Sequence, residues 1–200
     1  MENNPSFSLD NNPRELLQQI AAGDQTAFRL IYSGLYRRLY QFALSLVKTR
    51  ESAEEIVEDV FVRIWQQRDK ITAIQNLQVY LYTATKNSSL NYLSRQAKAS
   101  ITEPFDHIHV ELGEPSQTPE QILITAEIQR KIQKAVEALP PRCKMIFKLV
   151  REDGLRYREI SEILNISVNT IDVQMAIAIK RITTAIESDF DFSFKRARHK

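Results

Sequence analysis

Apolar residues recur every third or fourth position through most of this chain, the period of an α-helix with one buried face. The first stripe, Leu16, Leu17 and Ile20, follows Pro13, a residue suited to a helix's first turn, and closes at Gly23. Asp24 offers a cap for the next helix. From Ala27 to Val47 the positions Phe28, Ile31, Tyr32, Leu35, Leu39, Phe42, Ala43, Leu46 and Val47 hold the rhythm, predicting one long helix or two that break at Gly34. Ser52 and Glu55 have capping-box spacing ahead of Ala53, Ile56, Val57, Val60, Phe61, Ile64 and Trp65. Asp69 to Asn76 reads as a loop. Leu77 to Lys98 is helical by period, with Leu77, Leu81, Ala84, Leu90 and Leu93 as its inner line.

Residues 100–119 break the pattern. They hold several acids, three prolines and no Lys or Arg, and read as an acidic linker. Helical spacing resumes with Ile128, Ile132, Ala135, Val136 and Leu139. Pro140 and Pro141 then stop one helix and seat the next, whose Met145, Ile146, Leu149 and Val150 face inward. After Gly154 come two short helices about a turn. Tyr157, Ile160, Ile163 and Leu164 line the first. Asn165 suits a left-handed helix end, Ile166 the angle between helices, and Ser167 the cap of the second. Ile171, Met175, Ala178 and Ile182 turn inward, leaving Asn169, Thr170, Asp172, Val173, Gln174 and Ile177 outside. This is a helix-turn-helix whose second member fits a major groove, although an ordinary helical hairpin has the same spacing.

Composition supports an all-α fold of two helical domains. An apolar share of 43% supplies packed cores, and only four glycines and seven prolines interrupt helix-forming runs. The organisation expected is a flexible arm over 1–12, a helical domain over 13–99, the flexible linker over 100–119, a second domain over 120–188 and a loose tail over 189–200. One cysteine, Cys143, excludes an internal disulfide and reads as a small, partly buried side chain. The N-terminus lacks a secretory pattern and no run approaches a membrane span, so a cytoplasmic protein is expected, without membrane insertion.

A net charge of +2 says little, but its distribution says more. Opposite the apolar face of the Ser52 helix lie Glu54, Glu55, Glu58, Asp59 and Val62, a strip suited either to solvent or to a basic partner. Outside the inner line of the Leu77 helix lie Tyr80, Tyr82, Lys86, Asn87, Asn91, Arg95 and Lys98. Rings interleaved with cations suit single-stranded nucleic acid, and also a solvated helix with half-buried tyrosines. The recognition helix carries no Lys or Arg before Lys180 and Arg181. His107 and His109 lack further ligands nearby, and no phosphate loop or catalytic triad is present, so no metal, cofactor or catalytic residue is expected.

Three stretches together resemble a known family. ESAEEIVEDVFVRIWQQR, NLQVYLYTATKNSSLNYLSRQ and LPPRCKMIFKLVREDGLRYREISEILNISVNTID are similar to regions of bacterial sigma-70 factors, in the small extracytoplasmic-function group that keeps region 2 and region 4 alone. The resemblance runs from Arg14 to Ile186. It implies a factor that directs core RNA polymerase to promoter DNA and has no chemistry of its own. By this resemblance Glu55, Glu58, Asp59 and Phe61 face the polymerase. Asn76, Tyr80, Lys86, Asn87, Asn91 and Arg95 hold the melted minus-10 strand, with the loop from Ile74 to Gln78. Arg156, Ser167, Asn169, Thr170, Val173, Gln174, Lys180 and Arg181 meet the minus-35 duplex. An anti-sigma factor is implied as a further partner. Relatives often carry basic residues where this chain has Asp172, Gln174 and Ile177, which leaves base preference open. A freestanding helix-turn-helix regulator is the alternative, and would bind duplex DNA without polymerase. A helical interaction protein that binds no DNA is a third reading.

Overall fold

The structure is a computed structural model describing residues 13–99 and 129–197, with side chains described for 14–97 and 129–187. The expected arm over 1–12, the linker over 100–119 with its two histidines, and Ile128 lie outside the described residues. Within the described residues all regular structure is helical. The chain divides into two compact units, residues 1–105 and 106–200.

The first unit comprises α1 (Pro13–Ala21), α2 (Gln25–Val47), α3 (Arg50–Gln66), a 3-10 helix (Arg68–Ala73) and α4 (Leu77–Ala99). Gly23, at φ +91°, turns the chain out of α1. The Asp24 carboxylate then accepts from the amides of Thr26 and Ala27, at 2.7 and 3.2 Å, and starts α2. Gly34 does not break this helix. A mid-helix glycine costs about 1 kcal/mol against alanine, whereas each buried Ile or Leu contributes about 1.5–3 kcal/mol, and Ile31, Leu35 and Leu39 around it are all buried. Packing on both sides carries the helix through. Lys48 ends it in the left-handed conformation, φ 67°, with its amide bonded to the Leu44 carbonyl.

Helices α2, α3 and α4 pack on one another, and α1 packs on the 3-10 helix. Three local expectations change here. Helix α3 begins at Arg50, so Ser52 and Glu55 form no capping box. Instead the Thr49 hydroxyl donates to the Ser52 hydroxyl, which donates to the Tyr92 hydroxyl on α4, both at 2.7 Å. Ser52 is a buried tie between helices. The stretch read as a loop from Asp69 is largely the 3-10 helix, anchored by buried Ile71. On α4 Leu77 and Leu81 are buried as expected, but the buried face then runs through Tyr82, Thr85 and Ser89, all fully buried, whereas Leu90 is 48% exposed. Tyr82 lies edge-on to Phe42 at 5.2 Å between ring centroids. The small Thr85 and Ser89 allow close approach, and Ser89 returns its hydroxyl to the Thr85 carbonyl at 2.8 Å.

The second unit comprises α5 (129–137), α6 (Pro141–Arg151), α7 (Tyr157–Leu164) and α8 (Val168–Ala197). Pro141 occupies the first position of α6 as its fixed φ favours. Ala135, Val136, Leu139, Cys143, Ala178 and Ile182 form one core, with Phe147, Ala185 and Ile186 packed at its edge. Ile132, expected inside, is 37% exposed. Lys144, expected nowhere in the core, is buried and donates to Glu137 at 3.0 Å, with Lys148 at 3.8 Å from the other carboxylate oxygen. Cys143 is fully rather than partly buried. Helix α8 continues to Ala197, into the stretch read as a loose tail.

Candidate nucleic-acid interface

Helix α7 ends at Asn165, whose φ 54° and ψ 50° are the left-handed values its side chain tolerates. The turn is clamped twice: the Ile166 amide donates to the Ser161 carbonyl at 3.2 Å, and the Ser161 hydroxyl donates to the Ile166 carbonyl at 2.6 Å. Ser167 starts α8 by accepting from the Thr170 amide at 3.0 Å, and the two hydroxyls share a 2.8 Å hydrogen bond. Arg156 stands exposed before α7, its amide donating to the Glu159 carboxylate at 2.7 Å.

The inward side of α8 is as the spacing predicts: Ile171, Met175, Ala178 and Ile182 are buried. A further tie holds it from α6, where the Cys143 thiol donates to the Gln174 carbonyl at 3.2 Å. Burial raises that thiol's pKa, against the opposing charge of Arg181, and keeps it protonated as a donor. Outward, Asn169, Asp172, Val173, Ile177, Lys180 and Arg181 are exposed, with Thr170 and Gln174 half-buried. Of the expected minus-35 residues, Ser167 and Thr170 therefore have their hydroxyls committed to the cap. Farther along, Ile177, Lys180 and Arg181 border a shallow groove floored by Ala135, Ala138 and Ala185.

In the first unit, Asn87, Asn91 and Arg95 are exposed along α4 and Lys86 is half-buried beside them. Tyr80 is 43% exposed, while Tyr82 is in the core and cannot stack on a base without unfolding its pocket. Asn76 is exposed and caps α4, its side-chain oxygen accepting from the Val79 amide at 3.1 Å. The Lys98 side chain lies outside the described set.

Glu54, Glu55, Glu58 and Asp59 are all exposed on α3, and Val62 is 52% exposed beside them. Asp59 makes a 3.5 Å pair with Arg63, both well solvated. Phe61 does not share this face. It is 2% exposed, with its ring 4.8 Å from Tyr32, 6.1 Å from Phe28 and 6.5 Å from Tyr36, so its expected surface role gives way to a core role. Trp65 sits 5.0 Å from Phe28, with the Arg68 guanidinium 4.9 Å from its ring. A neighbouring feature escaped the sequence reading. Tyr32, Tyr36 and Tyr40 form a ladder on α2, with centroids 4.9 and 6.4 Å apart. Tyr32 and Tyr36 pack on Phe61, which sets the ladder beside α3, and their pKa values are raised by burial first, then by Tyr32 for Tyr36, and by Glu58 for both. Its four-residue spacing was visible in the sequence.

Among the described residues no cluster of three or more His, Cys, Asp or Glu side chains could hold a metal ion. No described helix is long and apolar enough to cross a membrane. What the two units present is a helix-turn-helix in one, and an acidic α3 with a polar, partly basic α4 in the other.

These features define a two-module, all-helical transcription protein. The sigma-70 region 2 family model matches residues 31–99, and the sigma-70 region 4 model matches residues 129–182. The chain belongs to the sigma-70 family, in the extracytoplasmic-function group, and directs RNA polymerase to promoters. It is similar to the ECF RNA polymerase sigma-E factor of Escherichia coli K12, 23% identical over 178 residues that span 86% of this chain and 93% of that one. The sigma-E factor of Haemophilus influenzae is 24% identical over 86% of this chain and 94% of its own length. Among solved structures, the sigma factor RpoE of Bartonella quintana, in complex with the anti-sigma factor NepR, has a TM-score of 0.55 at 20% identity. It covers 81% of this chain and 98% of that one. CnrH in complex with the cytosolic domain of CnrY has a TM-score of 0.52 at 19% identity, over 88% and 97%.

Proposed function

We propose that the α7–α8 pair reads a minus-35 duplex while α4 holds the minus-10 strand and the acidic side of α3 grips core RNA polymerase. The observation that carries this is the division of α3: its core face is complete, yet Glu54, Glu55, Glu58 and Val62 remain exposed beside a tyrosine ladder. A solvated strip needs neither the apolar Val62 nor the rings. On α8, Asn169, Val173 and Gln174 supply amide and small apolar groups toward base edges, while Arg156, Lys180 and Arg181 meet phosphates. Asn76, Tyr80, Lys86, Asn87, Asn91 and Arg95 serve the single strand. The protein works in the cytoplasm, without catalysis or cofactor of its own. An anti-sigma factor is a further partner in this reading, as the complex of similar RpoE with NepR suggests.

The test is copurification with core polymerase followed by run-off transcription, for the parent and for Glu58→Arg. Charge reversal on an exposed site changes stability by under ~0.5 kcal/mol, so melting should hold while core binding and transcription fall. Unaltered polymerase affinity would refute the acidic contact. Tight, specific duplex binding by the chain alone would favour the freestanding regulator.

A further inference from the structure

We infer that Asp172 is a specificity-determining residue of the recognition helix, and that it selects cytosine at one position of the minus-35 element. This rests on the reading of α7–α8 as a duplex reader. Residues near the N-terminal end of a recognition helix reach base edges, and Asp172 lies in the second turn of α8, exposed, between Asn169 and Val173. Ser167 and Thr170, the other small polar groups there, are bonded to each other and to the cap. Asp172 makes no hydrogen bond or ion pair among the described residues. Its helix neighbours one turn away, Val168, Asn169, Met175 and Ala176, include no cation.

An ionised carboxylate only accepts hydrogen bonds. In the major groove guanine presents two acceptors, N7 and O6, and thymine an acceptor with a methyl group. Cytosine presents the N4 amino donor. A carboxylate without a neighbouring cation is repelled by guanine and by phosphate, and is satisfied by a donor. Adenine also has an amino group, but its N7 acceptor lies beside it, so the clean match is cytosine. Asp172 thus acts by attraction to one base and rejection of another. Beside it, Val173 and Ile177, 47% and 36% exposed, are placed to meet thymine methyls.

The experiment is selection from a promoter library randomised across the minus-35 element, using reconstituted holoenzyme with parent, Asp172→Asn, Asp172→Ala and Asp172→Arg chains. The parent is expected to select cytosine at one position on the strand facing α8, by about 5- to 10-fold over the other bases. Asp172→Asn should move that preference to adenine, Asp172→Arg to guanine, and Asp172→Ala should flatten it, all with unchanged core-polymerase affinity. A motif in which the parent and all three variants share every preferred base overturns the role of Asp172 while sparing the duplex-reading assignment. So does an equal gain in affinity for all sequences in Asp172→Ala, which would make the carboxylate a general repulsive charge. A parent that selects no minus-35 sequence overturns that assignment and this inference together.

Discussion

Replacing Glu137 by Gln should destabilise the second unit alone, because it strands a buried ammonium. The Lys144 side chain is 7% exposed and its Nζ lies 3.0 Å from one Glu137 oxygen; Lys148, at 3.8 Å from the other, is 14% exposed. Removing one partner of a buried pair costs about 3–5 kcal/mol. Glu137 is 29% exposed, and the water that reaches it also relieves its partner, so a figure reduced for that screening, about 2–3 kcal/mol, applies here. In a unit of this size 1 kcal/mol moves Tm by about 4–8 °C, giving a fall on the order of 10–20 °C. The chain allows a clean assay. Its single tryptophan, Trp65, lies in the first unit, so tryptophan fluorescence follows that unit while far-ultraviolet circular dichroism follows both. In Glu137→Gln the dichroism transition should gain an early phase that fluorescence does not share. Lys144→Met should cost less than Glu137→Gln, because it removes the buried charge and keeps the volume, while the carboxylate it leaves is part-solvated and still 3.8 Å from Lys148. In that background Glu137→Gln should cost about 1 kcal/mol or less, Lys148 being the remaining cation paired with it among the described residues. If Glu137→Gln melts with the parent, or costs the same with and without Lys144, the pair is not what holds α5 to α6.

Two further outcomes follow from local geometry. Raised pKa values at Tyr32 and Tyr36 mean that the folded first unit holds protons which the unfolded chain releases from about pH 10, so stability should be intact below that pH and fall above it. Tyr32→Phe/Tyr36→Phe should lessen that alkaline loss in Trp65-monitored unfolding, and an unchanged slope would refute the coupling. At the turn, Asn165→Gly should be neutral or stabilising and Asn165→Ala should cost about 1–2 kcal/mol, because φ 54° crowds a Cβ that makes no compensating hydrogen bond. Equal melting of the two would show that the turn relaxes.

The sequence was most legible where a residue type has one physical use. Asp24 as cap, Asn165 as left-handed terminator and the Ile171–Met175–Ala178–Ile182 stripe each appear in the structure as their chemistry demands. It was least legible on α4, where hydropathy ranks Leu90 above Ser89 yet close helix approach favours the smaller residue and leaves the larger outside. Ser52 misled for a related reason: a hydroxyl can cap its own helix or reach another, and only the position of Tyr92, forty residues on, decides between them. Phe61 belonged to an apolar rhythm and to a resemblance at once, and burial decides for the rhythm. Lys144 was illegible because its partner Glu137 lies on a different helix, beyond two prolines.

The way α8 is held has a consequence for how such a protein can change over generations. Its fastenings include four buried inward side chains, with Ala185 and Ile186 packed at the core's edge, and a main-chain carbonyl, that of Gln174, which any residue at that position would supply to Cys143. The outward side chains of Asn169, Asp172, Val173 and Gln174 carry little of the folding load. Mutations there can accumulate and be tested against new promoters without first being screened by loss of the fold, whereas Ser167, which caps the same helix, has no such licence.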